Sequence, residues 1–365
     1  MKTLRIFHPI GQGAFYSEVH ENDNTKFTIV YDCGSSTFKG KKMETLVSST
    51  FPENYEIDIL FISHFHTDHV NGIEFLKKKF KIKKVILPLL DDEAKSLLKI
   101  SNFINFGDTN TQLIDNPIGY FDNQTSLVFI DEVNLDEDTD GINIENVNDI
   151  PSLTSGATIK SGSVLTTGIV DHDWLFIPFN YKQHARRSEF ITELSNLGLT
   201  ISDIDTIEKI STHKVNIRKA YDKIQGDLNE NSLLLFSGKE KAEYVNYFHN
   251  HSYFHFLMDY PQAYISCIYF GDINLREPGI INDIKRKLRK VWNTVGTIQV
   301  PHHGAINNFD KAIFNSTNIS CAVVSFGKTN TYGHPSATVV GQLLTLNILP
   351  YSVTEDVDSR LVQWK

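Results

Sequence analysis

A chain of 365 residues with 41% hydrophobic and 22% charged residues has the make-up of an ordinary globular protein, long enough for one large α/β domain, and this excludes a disordered chain. The formal charge of −9 excludes a protein that coats nucleic acid with its whole surface, because such binding rests on neutralising phosphates. Cys33, Cys267 and Cys321 are widely spaced without a C-x-x-C, which excludes a disulfide framework and a cysteine zinc knuckle and makes them small buried residues.

The N-terminus enters a strand-like pattern with no apolar h-region, and no later stretch is apolar for long enough to cross a bilayer. The sequence therefore predicts a soluble, cytoplasmic protein without a membrane partner. Residues 4–33 alternate and turn like a β-meander, broken at Gly11-Gln12-Gly13 and Asn22-Asp23-Asn24 and ending in Asp32-Cys33-Gly34. Residues 41–46 have helical spacing. A buried strand at 57–62, helix-like residues 73–76 and a strand at 83–88 closed by Pro88 form a βαβ unit. Residues 91–100 read as a helix, and the acidic, Asn-rich residues 131–149 as loop. Strand character returns at 161–180, residues 182–225 carry helical spacing, and strands resume at 232–236 and 264–270. His249, His251 and His255, scattered among aromatic residues, are assigned packing or surface roles. Two lysine- and arginine-rich runs, 77–84 and 285–290, are candidate basic patches, although such runs are usually solvated faces.

The stretch Ser63-His64-Phe65-His66-Thr67-Asp68-His69 packs three histidines and an aspartate directly after a buried strand. In an extended segment residues two apart share a side, so His64 and His66 converge, while the following turn swings Asp68 and His69 to a neighbouring point. Imidazole with carboxylate suits zinc, manganese or iron. The last hundred residues supply further ligand types at strand ends: Gly271-Asp272, Pro301-His302-His303-Gly304, and Ser325 through Asn330-Thr331-Tyr332-Gly333-His334-Pro335. The C-terminal end of the strands is where α/β sheets present their chemistry.

Taken in order, G-Q-G, D-C-G, H-x-H-x-D-H, G-D, H-H-G and S-x-G-x-x-N-x-Y-G-H-P resemble the motifs of metallo-β-lactamase-fold hydrolases, closest to the hydrolase domain of the DNA-uptake competence protein ComEC and its soluble relatives. The resemblance implies an α/β fold, a four-layered αββα sandwich, as a single domain over 1–365 with helical insertions at 91–150, 182–227 and 237–262. It implies that His64 and His66 hold a first metal, that Asp68, His69 and His334 hold a second, that Asp272 bridges them and that Asp32 orients the loop from behind. His302 and His303 either complete the first site or contact the scissile group. Three positions depart from the family: no histidine stands in residues 229–233, Ala14 replaces an aspartate after G-Q-G, and Ala305 replaces a frequent serine after H-H-G.

The implied cofactor is a pair of divalent ions, zinc first and manganese as the alternative, roughly 3.5–4 Å apart and sharing an activated hydroxide. Asp68 would orient that nucleophile or carry its proton. The expected activity is metal-dependent hydrolysis, first as a phosphodiesterase or nuclease on nucleic acid. The alternatives are hydrolysis of a small ester, lactone, amide or nucleotide, and a non-catalytic binding subunit whose insertions contact a protein partner.

Overall fold

The computed structural model describes residues 1–107, 110–135, 141–142, 144, 147–182, 185–224, 231–249, 263–315 and 317–365. Its strands, in chain order, are Lys2–Phe7 (β1), Gly13–Glu21 (β2), Lys26–Ser35 (β3), Glu56–Phe61 (β4), Lys81–Pro88 (β5), Ser126–Ile130 (β6), Val147–Asp149 (β7), Ala157–Ile159 (β8), Val164–Thr166 (β9), Trp174–Lys182 (β10), Asn231–Lys239 (β11), Tyr244–His249 (β12), Ala263–Tyr264 (β13), Ser266–Tyr269 (β14), Val295–Gln299 (β15), Cys321–Ser325 (β16), Leu349–Val353 (β17) and Leu361–Trp364 (β18). The helices are Lys41–Ser48 (α1), Thr67–Val70 (α2), Ile73–Lys79 (α3), Asp92–Phe106 (α4), Thr111–Asp115 (α5), Pro117–Phe121 (α6), Ala185–Asn196 (α7), Ile207–Thr212 (α8), Lys214–Tyr221 (α9), Ile280–Lys287 (α10) and Ala337–Thr345 (α11). One sheet runs β13-β12-β18-β1-β2-β3-β4-β5-β6-β8 and the other β17-β16-β15-β14-β11-β10-β9-β7.

Side-chain alternation decides which face of each strand meets which layer. In β10 and β11, Trp174, Phe176, Leu233 and Leu235 point into the space between the sheets, where they meet Phe7, Tyr31, Ile59 and Phe61 of the first sheet. The intervening Ile177, Phe179, Leu234 and Phe236 face outward and are covered by Ile280 and Ile284 of α10 and Val339 and Leu343 of α11. On the first sheet Val30, Leu60 and Val85 face outward under Met43 of α1, Ile73 and Leu76 of α3 and Leu98 of α4. Helix, sheet, sheet and helix are thus the four layers of a mixed α/β sandwich. Strands buried on both faces need apolar residues at consecutive positions, which is why β4, β5 and β11 read as continuous runs.

α4 begins where the Asp91 carboxylate accepts from the Ala94 amide and ends at left-handed Gly107, a capped helix at both ends. Its outer face carries Leu97 and Ile100 into a separate small core with Phe190, Leu194, Ile204, Ile210, Ile217 and Ala220. The helical residues of the 182–227 segment therefore sit on α4.

The other expected insertions differ. Residues 126–130, inside the 91–150 segment, are β6, paired in parallel with β5, so part of that segment is sheet. Residues 244–249, inside 237–262, are β12, paired antiparallel with β18. Val245 is buried while Tyr244 and Phe248 are exposed, a period-two pattern that the density of aromatic residues disguises. His251 and His255 lie outside the described residues, as do residues 136–140, 143 and 145–146 of the expected 131–149 loop. All three cysteines are buried and free. Among the described residues no helix is long and apolar enough to cross a membrane.

Candidate metal centre

The polar residues singled out in the sequence gather along one edge of the sandwich, each delivered by the end of a strand. β4 leads into Ser63–His69, β14 into Gly271-Asp272, β15 into Pro301–Gly304 and β16 into the segment that reaches His334. The two glycine motifs make room for them. A Cβ on Gly34 would lie 2.4 Å from main-chain atoms of His69 and Val70, and a Cβ on Gly13 would lie 2.6 Å from the Asp68 carbonyl oxygen. Only glycine lets α2 rest this closely on the β2–β3 hairpin.

Asp32, at φ 54 within β3 and fully buried, anchors the histidine stretch. Its carboxylate accepts from the Ser63 amide at 2.7 Å, from the Ser63 hydroxyl at 2.6 Å and from His69 Nδ1 at 2.8 Å. Since Ser63 Oγ gives its proton to Asp32, it is left to accept from His64 Nδ1 at 2.9 Å. His303 donates Nδ1–H to the Ser325 carbonyl at 2.9 Å. In the neutral form of each ring the outer nitrogen carries the hydrogen, so Nε2 turns a lone pair inward.

Those inner nitrogens face carboxylate oxygens. His64 Nε2 is 3.4 Å and His69 Nε2 3.3 Å from the two oxygens of Asp272, and His303 Nε2 is 3.3 Å from Asp68. Within the described residues, His64 Nε2, His69 Nε2, His303 Nε2, Asp68 Oδ1, Asp272 Oδ1 and His334 Nδ1 are buried without a hydrogen-bond partner. Buried lone pairs pointed at one another cost free energy unless a cation lies between them. Two triplets, His64 with His69 and Asp272, and Asp68 with His69 and His303, have ligand atoms within 4.8 Å of one another. This donor set of imidazoles and carboxylates fits a zinc- or manganese-type ion.

The electrostatics agree. Burial pushes His64 down to about 3, with His69 adding to the effect, and burial likewise takes His334 down to about 3 beside His302 and His303. Burial pulls His69 down too, but Asp272 and Asp32 on either side outweigh it and hold the ring well above its usual value. Burial works against ionised Asp272 and Asp68, yet His302, His69 and His64 hold Asp272 well below the carboxylate range, and His303 and His69 do the same for Asp68. Asp32 is raised by its burial. Positive charge is thus favoured where His69, Asp68 and Asp272 meet.

The site residues expected from the sequence all reach this edge; the two triplets join His64, His69 and Asp272, and Asp68, His69 and His303. His66 and His334 belong to neither triplet but line the adjoining cavity of about 260 Å³ with Asp68, Asp272, His302 and His303. His302 Nδ1 lies 3.8 Å from Asp272. His302 and His303 both have left-handed backbones, at φ 47 and 54, a conformation that costs roughly 1–3 kcal/mol per residue and gathers where side chains must be aimed.

Supports that the sequence did not reveal come from α4. Ser101 Oγ lies 3.1 Å from His66 Nε2. The Asn102 amide accepts from the Thr67 main-chain N–H at 3.0 Å and donates to the Phe65 carbonyl at 2.8 Å, gripping the backbone on both sides of His66. Only their polarity within an otherwise apolar helical face could have marked them. Asn330 likewise ties its own loop, donating to the Gly327 and His334 carbonyls at 2.6 Å each.

The two basic runs do not line the cavity, and most of their side chains have acidic or carbonyl partners. Lys77 and Lys78 pair with Glu74, Lys79 with Glu53, Lys81 with Glu56 and Lys83 with Glu56 and Asp58. Lys84 donates to the Ile150 and Leu153 carbonyls. Arg286 and Lys287 pair with Asp283, and Lys285 donates to the Ala312 and Asn315 carbonyls.

Residues 21–159 match the protein family described as the Metallo-beta-lactamase superfamily. Over those residues the chain is similar to the metallo-β-lactamase superfamily. That match takes in β3 to β8 and the histidine stretch; Asp272, His303 and His334 of the same edge lie beyond it. No curated protein sequence matches the chain. Similar solved structures include the metallo-beta-lactamase fold protein YhfI from Bacillus subtilis, at 9% identity and TM-score 0.39 over 100% of both chains. They also include a diphosphatase from the PhnP family, at 8% identity and TM-score 0.36 over 97% of this chain and 86% of that one. A third is the CmlA beta-hydroxylase E377D mutant, at 10% identity and TM-score 0.44 over 99% of this chain and 53% of that one.

Proposed function

We propose that the protein is a divalent-metal hydrolase acting on a phosphodiester or comparable ester bond, and that its substrate is small rather than a long nucleic-acid strand. The observation that carries the hydrolase reading is the set of inward-facing, buried lone pairs on His64, His69, His303, Asp68 and Asp272. Divalent ions held there supply an acidified water, with a pKa brought from about 15.7 towards 7, and a Lewis acid for the phosphoryl or carbonyl oxygen.

The chain's own residues do the rest. Asp32 fixes the tautomer of His69 by accepting its Nδ1–H, and the Ser325 carbonyl does the same for His303. Asp68, kept ionised by His303 and His69 and opening onto the cavity, orients the attacking water as a hydrogen-bond acceptor. Asp272 contributes both carboxylate oxygens between His64 and His69. His302 and His334 flank the cavity where the scissile group enters.

The small-substrate reading is supported by charge: no lysine or arginine is among the described residues lining the cavity, and much of the two basic runs is ion-paired to neighbouring carboxylates. Purified protein loaded with Zn²⁺ or Mn²⁺ should hydrolyse members of a panel of phosphodiesters, esters and lactones faster than single-stranded DNA or RNA. Asp272→Ala should abolish turnover while leaving the circular dichroism spectrum unchanged. Retained activity in Asp272→Ala, or a metal-loaded protein inert to the whole panel, overturns the hydrolase reading; selective cleavage of long single strands overturns only the small-substrate part.

A further inference from the structure

We propose that the cavity beside the metal centre binds a planar, uncharged group attached to a singly charged phosphodiester or an equivalent ester, gripping it by aromatic stacking instead of cations; this rests on the hydrolase reading above. One wall is built where α4 and α9 end. Asn105 and Phe106 form the last turn of α4 and Tyr221 closes α9, and Asn105 Nδ2 donates to the Tyr221 hydroxyl at 2.7 Å. Leu97 and Ile100 of α4 share a small core with Ile217 and Ala220 of α9, so the two helix ends hold station together. Phe190 backs the Tyr221 ring edge-on at 6.4 Å between centroids. Phe106 lies 6.2 Å from the His66 ring, placing an aromatic face next to the reacting centre.

The facing wall carries Asn307 and Tyr332, with the Tyr332 ring 5.9 Å from His334 and 57% exposed. Aromatic rings and carboxamides are the two groups that recognise a neutral planar ring, the first by its face and the second by hydrogen bonds at its edge. Among the described residues lining the cavity no lysine or arginine is present to meet a second phosphate charge taken out of water. At about 260 Å³ the cavity is a little smaller than the roughly 300–1,000 Å³ of drug-sized pockets, a size that suits a single ring.

Binding to the Zn²⁺-loaded protein is measured by calorimetry with two non-hydrolysable monoanions of equal charge, methyl(phenyl)phosphinate and dimethylphosphinate. The ring-bearing anion should bind about tenfold more tightly, the factor expected of one stacked ring. Phe106→Leu and Tyr221→Leu should each bring the two affinities closer by several-fold, while Tyr221→Phe, which keeps the ring, should preserve the preference. Should either leucine variant fail to fold, Tyr332→Leu, on an exposed wall, takes its place with the same expectation. Equal affinities in the unsubstituted protein, binding of neither anion, or a preference untouched by ring removal overturns the proposal. None of these readings depends on turnover, so a protein that prefers methyl(phenyl)phosphinate yet hydrolyses nothing refutes the hydrolase reading alone. One that hydrolyses esters without the ring preference refutes only the aromatic subsite.

Discussion

Replacing Asn102 by alanine tests whether the α4 segment is part of the site or merely packs beside it. Asn102 has none of its surface exposed, and its side chain joins α4 to the main chain on both sides of His66. The substitution strips the Thr67 N–H of its carboxamide acceptor; the Phe65 carbonyl keeps a second donor, Asn110 Nδ2 at 3.2 Å. One orphaned buried amide costs about 1–3 kcal/mol, and the small void left behind adds roughly 1 kcal/mol, so a loss of about 2–4 kcal/mol is expected. Loosening the backbone around His66 should also weaken metal binding by about 10–100-fold, as loss of an outer support typically does. Urea denaturation of chelator-treated protein reads the first quantity, and competition against a chromophoric chelator reads the second. Asn102→Asp still accepts from Thr67 but sets an acceptor against the Phe65 carbonyl, so it should fall between the two. An alanine variant with unchanged stability and unchanged metal affinity would refute the claim that α4 positions His66.

Three further outcomes are expected. His8 and His172 are buried as neutral rings, pushed by that burial to about 3 and about 4. Because these folded values lie below the unfolded value near 6.5, their contribution is complete above about pH 6.5 and drains away as pH falls towards 4; urea midpoints should decline over that interval, and less steeply in His172→Gln. Between the sheets Arg5 pairs with Glu18 at 2.7 Å while Ser237 and Tyr269 also donate to Glu18, so Arg5→Met should cost about 3–5 kcal/mol in denaturant titrations, with part regained in the double variant that also carries Glu18→Leu. Removing bound metal with a chelator should lower the thermal midpoint reversibly, in line with about 2.7 kcal/mol for an ion present at 100 times its Kd; a midpoint indifferent to Zn²⁺ and Mn²⁺ would count against a metal centre in this cluster.

How much of this could be read from residues alone follows from the range of each interaction. The strand alternation of Lys26–Ser35, the apolar run ending at Ile62 and the histidines behind it are local patterns, and the structure keeps them as a two-faced strand and a loop at its end. Periodicity fails where a strand is rich in aromatics on both sides, as in Tyr244–His249, whose place beside β18 depends on a partner more than a hundred residues away. The grouping of ligands is a matter of backbone direction. His303 enters the Asp68 triplet because residues 302–304 run left-handed and the Ser325 carbonyl takes its Nδ1–H, and neither condition is written in the letters H-H-G. Ser101 and Asn102 are the hardest case. In a helical stretch two polar residues read as a solvated turn, and they become site residues only because Leu97 and Ile100 on the next turns dock the 182–227 helices and bury that side of α4. The same docking brings Tyr221 against Asn105 at the mouth of the cavity. The candidate metal cluster is therefore legible because metal chemistry restricts it to a few residue types at strand ends, whereas the cavity wall of Asn105, Phe106 and Tyr221 is built by packing between two distant helices, and packing leaves no motif.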